Sequence, residues 1–121
     1  MSAGINLSNS NGKVFGGKYW AAPQALSGAG AISVVTFKTN VTTTGANALT
    51  LADGTFIGQE KLVQLIVDGG DGTLTPTNLS GGTTITFADV GDCAHLLWDG
   101  ANWLAINLYN CADGATGPVL A

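Results

Sequence analysis

The chain has one histidine, His95, and two cysteines, Cys93 and Cys111. A structural zinc site needs four protein ligands, and a nucleophilic triad needs a base and an orienting acid, so the spacing of these residues assembles neither. His95 lies in an apolar run, and we expect it to be a hydrogen-bonded structural or interfacial residue. The N terminus has no basic start followed by an apolar run, which predicts synthesis in a cytoplasm. Both cysteines are then expected to be free thiols, with a disulfide as the alternative.

The acidic groups come mainly from seven aspartates, nearly all of which adjoin glycine. In turns, Asp bonds nearby backbone and Gly supplies a positive φ, so turn formation is their predicted role. Asp68 and Asp71 could contribute to a calcium site, but their spacing is not that of a loop ending in a bidentate Glu. The sequence places no carboxylate pair for glycoside hydrolysis. We therefore predict no catalytic residue, no cofactor and no metal site.

Aromatic residues offer the remaining recognition chemistry. Trp20, Trp98 and Trp103 could stack on sugar rings, but aromatic side chains are also the usual anchors of protein interfaces. We predict that Tyr19 and Trp20 anchor an N-terminal arm on a partner. We predict that Trp98 and Trp103 serve subunit contact or packing.

The charge content argues against two classes of partner. Charged residues make up 10% of the chain, the cations are four lysines, and the formal net charge is −4. A nucleic-acid binder needs a basic surface, and an anionic membrane attracts one, so neither partner is expected. The longest uncharged stretch, residues 19–37, is broken by glycines, serines and Pro23, which argues against a membrane helix. So low a charge content favours a surface rich in Thr, Asn and Gly, or extensive contact with partners.

From Ala31 onward the sequence predicts strands, and no window has a helical period. The predicted strands cover residues 32–39 (with a continuation at 41–44 beyond a kink at Asn40), 49–51, 61–67, 73–75, 83–87, 93–98 and 102–108. They are rich in β-branched and aromatic residues and are separated by Gly and Asp turns. This pattern predicts an all-β fold, a small antiparallel sandwich or barrel.

The last two predicted strands are joined by an Asp-Gly hairpin turn at residues 99–102. If Trp98 pairs with Trp103 across this hairpin, Leu96 lies opposite Ala105 and Ala94 opposite Asn107, all on one face. The other face is almost entirely apolar and is the predicted core; it carries Cys93, His95, Leu97, Leu104, Ile106 and Leu108. Because both faces then require cover, we expect a second layer or a partner subunit, and hence an oligomer.

Composition divides the chain into three parts. Residues 1–31 are rich in Gly, Ser, Ala and Asn and predict an irregular, extended N-terminal arm. That arm is either a floppy terminus or a segment that orders on a neighbour. Residues 32–110 form the predicted β domain, and residues 111–121 a C-terminal tail.

An ordered series of strand and turn motifs runs from Leu49 to about Ile106. It consists of Leu49–Gly54, Gly58–Lys61, Val67–Gly70, Thr73–Leu79, Gly81–Phe87, Asp89–Asp92 and Leu96–Trp103. The series resembles small virion proteins of tailed phages, of the capsid decoration, cement or head-fibre type. The resemblance covers roughly half of the chain and leaves out residues 1–31 and the tail from Cys111.

The resemblance implies a β-rich knob, in a trimer, fixed to the outer surface of a phage head after assembly in the host cytoplasm. Its partner would be the major capsid protein, and it would stabilise the particle by bridging capsomers without catalysis. The alternative is a receptor- or glycan-binding tip of a head or tail fibre, which the tryptophans motivate. A depolymerising tail-spike enzyme is disfavoured because no acid/base pair is recognisable.

Overall fold

A computed structural model describes residues 22–114 and 116–121 of the chain, and these residues form two five-stranded sheets. The ten strands are β1 (Gln24–Ser27), β2 (Gly30–Ile32), β3 (Lys38–Thr42), β4 (Asn47–Leu51), β5 (Glu60–Val67), β6 (Gly72–Pro76), β7 (Ile85–Phe87), β8 (Asp92–Trp98), β9 (Trp103–Asn110) and β10 (Val119–Leu120). Sheet 1 has the order β1-β3-β5-β8-β9, and sheet 2 the order β10-β7-β6-β4-β2. The two sheets pack as a sandwich, which confirms the all-β prediction and decides against a closed barrel.

The first six strands alternate between the two sheets. β1, β3 and β5 are parallel neighbours in sheet 1, and β2, β4 and β6 are parallel neighbours in sheet 2. Each consecutive pair (β1–β2, β3–β4, β5–β6) therefore forms one coil that gives a strand to each sheet. The three coils stack side by side, as repeats do in a solenoid.

The last four strands close one side of this stack with antiparallel pairing. β7 pairs with β6 and β10 with β7 in sheet 2, while β8 pairs with β5 and β9 with β8 in sheet 1. The prediction of an antiparallel sandwich was therefore wrong for the first six strands, because the sheets are mixed. Their short connections cross from one sheet to the other, whereas a hairpin would return to its own sheet.

The core lies between the sheets and follows the period of two expected for half-buried strands. In β5, Lys61, Val63 and Leu65 point inward, and the residues between them point outward. The buried apolar side chains come from both sheets: Ile32, Val41, Leu49, Leu51, Val63, Leu65, Leu74, Ile85, Phe87, Ala94, Leu96, Trp98 and Trp103.

The hairpin of β8 and β9 confirms part of the predicted register and reverses the predicted faces. Trp98 pairs with Trp103 and Leu96 with Ala105, but a bulge at Ile106 pairs Ala94 with Leu108. Ile106 is 50% exposed. The tryptophan face is the core, and the face predicted as core is the outer face of sheet 1, except that the bulge turns Leu108 toward the core. Since both faces are apolar, composition could not distinguish them.

Three boundaries also differ from the predictions. The predicted strand 32–39 is interrupted, because residues 33–37 leave sheet 2 and cross to sheet 1. β1 and the first two residues of β2 lie within the predicted arm, and β10 lies within the predicted tail. Tyr19 and Trp20 fall outside the described residues, so the prediction that they anchor an arm stays a prediction.

Candidate docking site

One end of the sandwich collects loops from all parts of the described chain. β3 and β5 are parallel and β8 is antiparallel to β5, so the loops before β3 and β5 and the hairpin after β8 share one end. The loop after β6 lies there too, because β6 is parallel to β4. We call this the docking end; it consists of loops 33–37, 52–59, 77–84 and 99–102.

Exposed apolar side chains mark the docking end. Val35 is 79% exposed, Ile57 77% and Phe56 53%. We call these three residues the apolar tip. A methyl group added at Gly100 would lie 3.0 Å from Ile57 Cγ1, so loop 52–59 also touches the hairpin 99–102. Exposed apolar groups gathered on one surface usually mark a site of interaction.

A pocket of about 240 Å³ opens between the two loops of the apolar tip. Its walls are formed by residues 34–37 and by Thr55, Phe56, Gln59 and Glu60. The buried Gln59 amide holds both loops: its Oε1 accepts from Thr55 N at 2.6 Å, and its Nε2 donates to Val34 O at 2.6 Å. The apolar tip is therefore displayed on fixed loops.

Lys61 holds the first of these loops, residues 33–37, from inside the sandwich. Its side chain points inward, the residue is 1% exposed, and burial lowers its pKa to about 8. Its Nζ donates to Thr36 O at 2.8 Å and to Thr36 Oγ1 at 3.0 Å. Removing the amine from water is unfavourable, and these two hydrogen bonds offset part of that free energy.

The two described tryptophans support the base of loop 52–59. Trp98 and Trp103 have ring centroids 5.4 Å apart, and Trp103 Nε1 donates to Ala52 O at 2.9 Å. Gly54 lies directly against Trp98, since a methyl group added there would be 2.3 Å from Trp98 Cγ. Both rings are buried, at 6% and 0% exposed. Of the two roles expected for them, subunit contact or packing, packing is the one that they serve here.

His95 has a hydrogen-bonding partner on the outer face of sheet 1. Its Nε2 lies 2.8 Å from Glu60 Oε1, and its ring meets Phe37 edge-on with centroids 6.3 Å apart. Glu60 and Phe37 both line the pocket of the docking end. The pair therefore supports the rim of the pocket, which agrees with the structural role expected for His95.

A second, polar cleft of about 210 Å³ lies at the docking end. It is lined by Pro76–Leu79, Gly82, Thr83 and Asn102. Asn78 Nδ2 donates to both oxygens of Asp53, at 2.9 and 3.1 Å. The docking end thus combines apolar side chains with amides, hydroxyls and the carboxylates of Asp53 and Asp99, as protein interfaces combine apolar and polar groups.

Asp68 and Asp99 have the turn role predicted for the aspartates. Asp68 Oδ1 accepts from Gly70 N at 3.0 Å. Asp99 Oδ1 accepts from Asn102 N at 2.7 Å and from Ala101 N at 2.8 Å, and these bonds lower the pKa of Asp99. Within residues 22–114 and 116–121, no three His, Cys, Asp or Glu side chains are grouped to hold a metal ion.

The opposite end of the sandwich is acidic. Its loops carry four exposed aspartates: Asp68, Asp71, Asp89 and Asp113. The two lysines within the described part of the chain, Lys38 and Lys61, lie in the first two residues of β3 and β5, toward the docking end. We call this the acidic end, because its four exposed aspartates outnumber the two of the docking end, Asp53 and Asp99; it also exposes Val67 and Val90.

No family model, curated protein or solved structure matches the chain. No helix in the described residues is long and apolar enough to cross a membrane.

Sequence reasoning missed the apolar tip and Lys61, although both leave a signal. Phe56 and Ile57 form an apolar pair inside a turn segment bounded by Gly54 and Gly58, where polar residues are expected. Lys61, Val63 and Leu65 are two residues apart and so lie on the same face of their strand, which predicts that the Lys61 amine points inward.

Proposed function

We propose that this chain is a decoration protein of a tailed-phage particle, which binds the outer surface of the head and stabilises it by bridging capsomers. It acts through buried surface and carries out no catalysis. The apolar tip is the observation that supports this function best, since three large apolar side chains stand exposed on loops fixed by Gln59 and Lys61. The acidic end then faces away from the shell, toward solvent.

The size of the apolar tip favours an oligomer on the particle. Burying the exposed parts of Val35, Phe56 and Ile57 contributes about 1–2 kcal/mol each, or roughly 3–6 kcal/mol per copy. Association costs about 4–15 kcal/mol in lost freedom of motion. One tip therefore binds weakly, whereas three linked tips gain from effective concentration. This supports the proposal of a homo-oligomer, a trimer, with the major capsid protein as its partner.

The experiment is stripping and re-addition on purified particles of the phage that encodes the chain. Stripped particles should fail at a lower temperature in low salt, and wild-type protein should restore them. Ile57→Asp should neither bind nor restore, because it places a charge in the apolar tip. Val119→Asp is the matched control, since Val119 is 56% exposed on the edge strand β10. Equal robustness with and without the protein would refute cementing.

The second candidate is a glycan-binding fibre tip, which the polar cleft favours. Neutral amides and hydroxyls such as those of Asn78, Thr83 and Asn102 match the hydroxyls of a saccharide. Trp98 and Trp103 no longer motivate it, because both are buried. A glycan array probed with wild type and Asn78→Ala tests it, and an array without binding by the wild type refutes it.

A further inference from the structure

Both cysteines lie on the outer face of sheet 1, toward the acidic end. Gln64, Cys93 and Tyr109 are direct partners across the neighbouring strands β5, β8 and β9. Cys111 follows β9 at once, and its amide donates to Gly91 O at 3.0 Å. Four polar or polarisable side chains therefore share one patch, which the docking end does not use.

One contact fixes where the Cys111 sulfur lies. Gln64 Nε2 lies 3.3 Å from Cys111 Sγ, although β8 separates their strands. Neighbouring strands are about 4.8 Å apart, so β5 and β9 are almost 10 Å apart. The Gln64 amide and the Cys111 sulfur must both lean over β8 to meet. The residue of β8 opposite Gln64 is Cys93.

The two thiols differ in access. Cys93 is 2% exposed, and burial raises its pKa, although a hydrogen bond with the Tyr109 hydroxyl opposes the shift. Cys111 is exposed. A dissolved reagent therefore reaches Cys111 first, and Cys93 can react only with a group already held above it.

We propose that Cys93 and Cys111 form a modification site that closes to an intramolecular disulfide when the folded chain meets a low-molecular-weight disulfide such as oxidised glutathione. The Cys111 thiolate attacks one glutathione sulfur, forms a mixed disulfide and releases one glutathione thiolate. The Cys93 thiolate then attacks the Cys111 sulfur and releases the second glutathione. The protein loses two hydrogen atoms, and oxidised glutathione is reduced to two thiols.

Closure needs a small movement of the backbone. Diagonal positions on paired strands have Cα atoms about 7–8 Å apart, slightly beyond the usual range for a disulfide. The turn at residues 111–114 is exposed and can supply a shift of about 1 Å. The disulfide would tie this turn to β8 at the acidic end.

When the disulfide would form in the life of the protein depends on the proposed function. A virion protein is made in a reducing cytoplasm and released into an oxidising medium, so the dithiol would persist during assembly and close after lysis. The chemistry itself does not depend on the particle, because it needs the folded chain alone. Failure of closure and failure of cementing are therefore separate results.

The test uses the full chain, reduced and then incubated with oxidised glutathione. Intact mass should fall by about 2 Da, the two hydrogens lost on closure. Non-reducing peptide maps should join Cys93 to Cys111, and the reaction should accelerate as pH rises. Cys111→Ser should remain unmodified, whereas Cys93→Ser should stop at the mixed disulfide. Gln64→Leu should slow closure severalfold without altering the first step, because Gln64 positions the Cys111 sulfur.

Two results would overturn the proposal. One is a persistent mixed disulfide on Cys111 of the wild type, with Cys93 still titratable after unfolding. The other is a disulfide-linked dimer through Cys111, which would show that the sulfur faces outward. Circular dichroism of each variant checks that the fold is retained, and Cys111→Ser is safe in this respect because Cys111 is exposed.

Discussion

Replacing Lys61 by Met changes how the stability of this protein depends on pH. The residue is 1% exposed, and its pKa lies near 8 instead of the ordinary 10.5. That difference corresponds to about 3 kcal/mol. We expect about 2 kcal/mol to be observed, since water entering the neighbouring pocket screens the ammonium.

The sign follows from counting protons. Below pH 8 the amine is charged in both the folded and the unfolded chain. Between pH 8 and 10.5 the folded chain has lost the proton and the unfolded chain has kept it, so the free energy of unfolding of the wild type rises with pH. The neutral amine can still donate to Thr36 O and Thr36 Oγ1. Met cannot donate these bonds, and it does not titrate.

At pH 7 the two proteins should therefore have similar stabilities. The variant leaves the Thr36 carbonyl unpaired, which costs about 1–3 kcal/mol, but it also removes a buried charge. At pH 10.5 the wild type should be more stable by about 2 kcal/mol beyond the difference at pH 7. The measured quantity is the change in this difference with pH.

Urea unfolding between pH 7 and 10.5, followed by the fluorescence of Trp98 and Trp103, measures it. A hydrogen bond with Cys93, together with burial, raises the pKa of Tyr109 to about 12, so its titration also changes stability in alkali. Both proteins retain Tyr109, and its contribution cancels in the difference. Lys38→Met controls for the loss of one positive charge from an acidic chain. A difference that stays flat or shrinks with pH would show that Lys61 is not desolvated.

Three further changes should separate packing from docking. Gly54→Ala should destabilise by about 2–4 kcal/mol in urea unfolding, because its methyl group would overlap the Trp98 ring, whereas Gly45→Ala, which meets no atom within 4 Å, should cost under about 1 kcal/mol. Trp103→Phe should lower the urea midpoint by an amount equal to about 2–3 kcal/mol, since it leaves a cavity and an unpaired Ala52 carbonyl; an unchanged midpoint would contradict this. Ile57→Asp should change stability by less than about 0.5 kcal/mol, because Ile57 is 77% exposed, and a larger loss would mean that it packs in the free protein.

Local pattern predicted the strands that are bounded by clear turns. Residues 61–67 are rich in aliphatic and β-branched side chains and stop at an Asp-Gly cluster, and the structure places β5 at Glu60–Val67. The Asp-Gly turn at residues 99–102 likewise joins β8 and β9 with Trp98 opposite Trp103. In both cases the deciding information lies within a few residues.

The pairing of strands required information that the local pattern does not contain. Residues 33–37 are as rich in β-branched side chains as a strand, yet they bridge the two sheets, because the chain enters its next coil there. The bulge at Ile106 shifts a register that turn geometry alone would have continued. The docking end is likewise nonlocal, since Val35 and Ile57 are brought together only by the stacking of coils.

The coil stack makes the apolar tip a row that can be lengthened. Val35 lies in the loop that enters the second coil, and Phe56 and Ile57 lie in the loop that enters the third. Adjacent coils are separated by one strand spacing, about 4.8 Å. A duplicated coil would extend both sheets by one strand and add another exposed loop to the same end. Homologues with different numbers of coils would then differ in binding strength by discrete steps, with the antiparallel strands β7 to β10 unchanged.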